Sequence, residues 1–217
     1  MTHTTRVRLP IALALAAALL TAAARPGPPT AMNPPTATSP PTSTTKDGVM
    51  VLGSPRAKVV VAEYASVGCP HCAHWARTVY PVFKVKYIDS GRVRFAFHEM
   101  LTGDGALAAA GFLLARCAGP ARYFRVVDQI FARQGEIAVK GASILLDIGK
   151  SAGVTEDRFK ACLSDDAALK ALNERTEADA KAHGVQGTPT FFVNGVRMKG
   201  DAVLADFDTA IVHARRP

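Results

Sequence analysis

Two cysteines two residues apart, Cys69-Pro70-His71-Cys72, stand where the chain changes from strand character to helix character, and this junction constrains the fold more than any other stretch. Ahead of it, Lys58 to Ser66 is β-branched and apolar enough for a buried strand; behind it, Ala73 to Val79 reads as a helix. Cys69 then lies at a helix N-terminus, where unsatisfied amides and the positive end of the macrodipole stabilise a thiolate. Pro70 suits the first helical turn, in which a missing N–H costs nothing. Two thiols at this spacing can close into a reversible disulfide, so the chemistry indicated is redox exchange.

Arg6 and Arg8 precede an apolar run from Leu9 to Ala24 that closes on Ala22-Ala23-Ala24. Its 16 residues fall short of the about 20 that a membrane span needs. Residues 1–24 therefore read as a signal peptide removed after Ala24, and the protein as periplasmic. Left uncleaved, the same segment would tether the domain to the outer face of the membrane. Residues 25–46 are mainly Pro, Thr, Ala and Ser and cannot bury enough surface to offset their ordering entropy, which predicts a flexible tether. Residues 47–217 are long enough for one sizeable core with an inserted subdomain. The formal charge of +8 falls by two, to +6, without Arg6 and Arg8, and no basic run interleaved with aromatics occurs, which speaks against nucleic-acid binding.

Tyr80-Pro81 marks a break after the first helix, and Arg92 to Phe97 alternates as a strand does. Helical patterns then follow one another: Asp104 to Cys117 stopping before Gly119-Pro120, a segment with Tyr123, Phe124, Val127, Ile130 and Phe131 on one face, another with Ile144, Leu145 and Ile148, a helix capped by Thr155, and one starting near Ser164 and closed by Gly184. Asn194-Gly195 between two apolar runs signals a hairpin. Thr188-Pro189 opens its first strand with an X-Pro bond of the kind that can be cis. Asp201 to Ala214 reads as a last helix with Val203, Leu204, Phe207, Ile211 and Val212 facing inward. Of the four cysteines, Cys117 and Cys162 remain outside the C-x-x-C pair. Each fits a small buried hydrophobe, but in an oxidising compartment an even number left over favours a second, structural disulfide.

A strand, a C-x-x-C helix, a helical block at about 103–184, then Thr-Pro, a hairpin and a final helix resembles the thioredoxin superfamily. Cys69-Pro70-His71-Cys72 together with Gly187-Thr188-Pro189-Thr190-Phe191-Phe192-Val193-Asn194-Gly195 resembles its DsbA branch. The resemblance implies an α/β thioredoxin fold with a helical insertion and a dithiol oxidase that introduces disulfides through Cys69 and Cys72, without a cofactor. Pro70 at the helix start and His71, which can donate a hydrogen bond or a positive charge, support the Cys69 thiolate. The resemblance implies that Pro189 is cis, that Thr188 and Pro189 border the active-site disulfide and bind substrate, and that Glu63 is a buried acid serving Cys72. A surface charge on an edge strand is the other reading of Glu63. It is also consistent with a Cys117–Cys162 disulfide. The partners implied are reduced unfolded exported proteins and a quinone-linked membrane oxidase of the DsbB or VKOR type, with the protein itself a monomer. Thr188 departs from the Val of the best-known oxidases, which keeps a disulfide isomerase or reductase as the alternative. A zinc module built on Cys69, His71, Cys72 and His74 lacks the second ligand pair that structural zinc requires, so no metal is expected. His98 and His183 read as ordinary surface or loop histidines, and Trp75, the single tryptophan, as packing beside the active-site helix.

Overall fold

The structure is a computed structural model and describes Met1, His3, residues 40–199 and residues 202–214. The expected signal peptide and the tether as far as residue 39 lie outside the described residues, apart from Met1 and His3. Strand β3 (Val59–Ala65) pairs in parallel with β4 (Val93–Glu99) and antiparallel with β5 (Thr190–Val193). Beyond β4 lie β2 (Met50–Leu52) and β1 (Thr42–Thr44), and beyond β5 the short β6 (Val196–Arg197), giving the order β1-β2-β4-β3-β5-β6. The β3 run of Val and Ala, with neighbours on both sides, is what a central strand requires.

β1 corrects the expected tether. Thr42 to Thr44 pair antiparallel with Leu52 to Met50, so the fold begins before residue 47. An edge strand needs backbone pairing more than buried side chains, and β-branched Thr supplies it without adding to the core. A composition reading that looks only for apolar surface misses such a strand.

Helix α1 (Pro70–Thr78) follows β3, and α2 (Tyr80–Phe83) resumes after the break at Val79 and runs into a wider helical turn over Lys84–Asp89. Five helices separate β4 from β5: α3 (Gly105–Cys117), α4 (Pro120–Lys140), α5 (Ala142–Ser151), α6 (Glu156–Leu163) and α7 (Asp166–His183). The caps follow local chemistry. Asp104, Thr155 and Asp165 each accept a backbone N–H from the first turn, so Asp165 takes the capping place expected near Ser164, and Gly184 ends α7 in the left-handed region. α8 (Leu204–Ala214) buries Phe207 and Ile211. Val203 and Val212, expected to face inward, are about half exposed: Val203 lies ahead of α8, and Val212 falls outside the narrow stripe that a helix on one side of a sheet buries.

Aromatic packing joins the sheet to the helices: Trp75, Tyr80, Phe83, Phe191 and Phe207 form one continuous group, which Phe95 links to Phe124. Each such side chain contributes roughly 1.5–3 kcal/mol on burial. A polar clamp at the end of β4 adds direction. The buried Glu99 carboxylate accepts from Arg116 on α3 (2.7 to 3.0 Å), Arg175 on α7 (2.7 Å) and Tyr123 on α4 (2.8 Å), and Arg116 also donates to the Gly48 carbonyl (2.8 Å). A buried carboxylate is tolerated only when paired and hydrogen-bonded in this way. Among the described residues no helix is long and apolar enough to cross a membrane.

Candidate active site

Cys69 is the N-cap of α1 and Pro70 occupies its first turn. The Cys69 N–H donates to the Ser66 carbonyl (3.1 Å), and its carbonyl accepts from Ala73 (3.1 Å), which fixes the sulfur at the helix start. The Cys69 thiol donates to the Thr188 carbonyl across the cleft (3.4 Å), and the Thr188-Pro189 bond is cis. Cys72, one turn along, is fully buried, and neither thiol is bridged.

The two sulfurs have opposite environments. Burial works against the Cys69 thiolate, but the Thr188 side chain and the backbone at Cys72 and His71 outweigh it and bring the thiol below its ordinary pKa. Burial, reinforced by the charges of Glu63 and Cys69, pushes Cys72 far above it. Glu63 sits on central β3, opposite Phe97 and Phe191, and is buried, so it is not an edge-strand surface charge. Burial first, then the negative charges of Asp128 and Cys69, hold its carboxyl well above the usual carboxylate range. His71 and His74 are exposed on the outer side of α1. Together with Trp75, Pro189 and Met198 they line a groove of about 690 Å³ that runs past the cis-proline loop.

Three further residues hold this geometry and carried no sequence signal. Gln134 of α4 donates to the carbonyls of Val67 (2.8 Å) and Cys69 (3.2 Å), tying the insertion to the active-site loop. Thr102 shares a hydrogen bond with the Thr188 hydroxyl (2.7 Å), and Ser66 donates to the Thr102 carbonyl (2.7 Å). A lone Gln on an amphipathic helix and a Thr in a loop look like solvent-facing residues until the tertiary contact is known. Close approach of two loops also depends on glycine: a Cβ on Gly68 would lie 2.1 Å from the Asp104 carbonyl oxygen.

Cys117 at the end of α3 and Cys162 in α6 are joined by a disulfide, away from the groove. Trp75 is buried against Tyr80 and Phe191, with its indole N–H donating to the Ala202 carbonyl (2.9 Å). His98 differs from its expected surface role: it lies on β4, stacks on Tyr64 and pairs with Asp179 of α7, a partner that also meets His183.

A protein of Rickettsia bellii (strain RML369-C) named as a protein-disulfide oxidoreductase is 37% identical over 172 residues, which cover 76% of this chain and 66% of that one. The chain spans between 57% and 66% of the length of the curated Rickettsia relatives it matches. Among solved structures, α-DsbA1 of Wolbachia pipientis superposes with a TM-score of 0.68 at 24% identity, over 76% of this chain and 89% of the other. BdbD of Bacillus subtilis, in its oxidised form, gives 0.68 at 21% identity, over 76% and 91%. At these identities the likeness speaks for the fold: a sheet with a C-x-x-C helix and a helical insertion, as in DsbA proteins. The family model described as thioredoxin matches residues 45–212, from the segment before β2 into α8, and on that match the chain belongs to the thioredoxin family.

Proposed function

We propose that this chain is an exported thiol:disulfide oxidoreductase that works as a dithiol oxidase, with Cys69 as the exchanging sulfur and Cys72 as its resolving partner. The observation that carries this reading is the asymmetry of the pair: both thiols are buried, but Cys69, at a helix N-terminus beside the cis-proline loop, is lowered, and Cys72, the more deeply buried, is raised. In the oxidised protein a substrate thiolate attacks Cys69, forming a mixed disulfide and releasing Cys72. A second substrate thiolate then attacks the substrate sulfur of that mixed disulfide, leaving an oxidised substrate and a reduced dithiol. A stabilised Cys69 thiolate favours the reduced protein and so drives oxidation of the substrate. Each pH unit by which the Cys69 pKa lies below the ambient pH contributes about 1.4 kcal/mol, or about 30 mV.

The groove past Thr188 and Pro189 suits an extended, unfolded chain, and the substrates of this reading are reduced exported proteins. Re-oxidation falls to a quinone-linked membrane oxidase of the DsbB or VKOR type, and the Cys117–Cys162 bond has a structural role. Trapping tests the assignment. Cys72→Ala incubated with a disulfide-bearing peptide accumulates a mixed disulfide at Cys69, located by peptide mass mapping, while Cys69→Ala gives none. An adduct on any other cysteine, or none in either variant, contradicts the roles given to the two sulfurs.

A further inference from the structure

Beneath the site two buried polar atoms have no hydrogen-bonding partner among the described residues: Oε1 of Glu63 and the hydroxyl of Tyr80. Both residues line one small cavity, with Trp75, Phe97, Phe131 and Asp128 completing much of its wall. Its volume, about 10 Å³, is close to the least that admits one water. An orphaned carboxyl oxygen and an orphaned phenol are each costly when buried, and a water held in the cavity that both line would give each a partner. Asp128 reaches further. It borders this cavity and also an outer groove of about 350 Å³ between α1, α2 and α4, which shares Ala76, Tyr80 and Phe131 with the cavity.

We propose that Tyr80 and Asp128 carry protons between Glu63 and solvent, so that the proton needed at Cys72 arrives from the α1–α4 side of the molecule and not through the substrate groove. The proposal rests on the exchange reaction above. When a substrate thiolate attacks Cys69, the Cys69–Cys72 bond breaks, a bond forms between Cys69 and the substrate sulfur, and the electron pair of the broken bond goes to Cys72. That sulfur is fully buried, so it takes a proton from the Glu63 carboxylic acid. Glu63 regains one from the cavity water and the water from the Tyr80 hydroxyl; Tyr80, which has no direct bond to Asp128, is resupplied through a water in the outer groove that both residues line, and Asp128 is resupplied from solvent. Re-oxidation sends the same proton outward along the same groups. No oxidant or reductant beyond the exchanging disulfide and thiols enters.

Three observations favour this side. The substrate groove shares only Trp75 with the cavity, so a bound chain leaves the route open. Asp128 is exposed as a residue, yet its carboxyl stands against apolar walls that push its pKa up to about 7, with Lys84 opposing, which suits a group that both accepts and gives a proton near neutrality. Its charge also acts on both Glu63 and Tyr80, which places the three in one electrostatic neighbourhood. The other charged groups bordering the outer groove are Arg77 and Lys84.

The test follows reduction of the oxidised protein by excess dithiothreitol near neutral pH, quenched in acid and read as free thiols by alkylation and mass, in the parent, Glu63→Gln, Tyr80→Phe, Asp128→Asn and Asp128→Glu. Glu63→Gln slows the step by about 100-fold, and Tyr80→Phe and Asp128→Asn by about 10-fold each, while Asp128→Glu stays within about twofold of the parent. Added imidazole, a small proton donor that can enter the open groove, restores Asp128→Asn and leaves Glu63→Gln slow. The equilibrium with glutathione stays close to the parent's in Tyr80→Phe, which a merely structural loss would not spare. Parental rates in Tyr80→Phe and Asp128→Asn beside a slow Glu63→Gln overturn the route and leave the exchange reaction standing. A parent in which Cys69 and Cys72 form no reducible disulfide overturns the exchange reaction itself.

Discussion

At the scale of single residues, Thr188 bears on the Cys69 thiol and Glu63 on the Cys72 thiol. The Thr188 side chain is the largest influence lowering the Cys69 pKa, and a hydrogen bond to a charged group contributes about 1.5–3 kcal/mol. Thr188→Val removes that influence and raises the Cys69 pKa. Titration of the thiolate by its ultraviolet absorbance checks this, and an unchanged pKa removes the role given to the side chain. Glu63 makes a prediction about stability. Its folded pKa is raised above the ordinary 4.5, so the folded state holds a proton that the unfolded state has lost, and stability falls as pH rises from about 4.5 through the folded value. The loss is about 1.4 kcal/mol for each pH unit crossed. Glu63→Gln does not titrate, so in the oxidised proteins its stability relative to the parent grows with pH over that window and is flat below it. Denaturant melts across the range measure the difference; a gap independent of pH contradicts the burial argument.

Secondary-structure elements add connections that the local pattern did not reveal. The C-x-x-C helix, the Asn194-Gly195 hairpin and the caps at Thr155 and Gly184 were legible because each depends on a few neighbouring residues. β1, Gln134 and the Glu99 clamp were not, because each acquires its role from a partner far along the chain. The clamp can be tested. Glu99→Gln leaves Arg116 and Arg175 facing a neutral group, and since both side chains are about a quarter exposed, the loss is about 2–3 kcal/mol, at or below the low end for a broken buried pair. Denaturant unfolding reads that loss, and a variant as stable as the parent shows that the clamp contributes nothing net. The disulfide between α3 and α6 spans 45 residues of sequence separation. Closing a loop of that size contributes about 4 kcal/mol, an upper figure because residual structure in the unfolded chain reduces it. Cys117→Ser/Cys162→Ser therefore melts lower while its Cys69–Cys72 exchange rate stays near the parent's. Equal melting temperatures return both residues to the role of small buried hydrophobes.

For the whole molecule, the helical insertion does more than enlarge the fold. It supplies Gln134 to the active-site loop, Asp128 to the cavity under Glu63 and the arginines that hold β4, so α1 carries the thiols and the insertion provides part of their surroundings. The order of elements was readable from punctuation and periodicity, whereas that division of labour required three dimensions. The direction of the reaction is the central claim, and one comparison tests it most directly. The oxidised protein is mixed in equal amounts with a reduced unfolded substrate and, separately, the reduced protein with the same substrate carrying scrambled disulfides. The asymmetry of Cys69 and Cys72 predicts rapid formation of substrate disulfides in the first mixture, with one protein disulfide consumed per bond made, and slow reshuffling in the second. Fast recovery of native pairing from the scrambled substrate, with little oxidation of the reduced one, contradicts the oxidase account and makes the protein an isomerase.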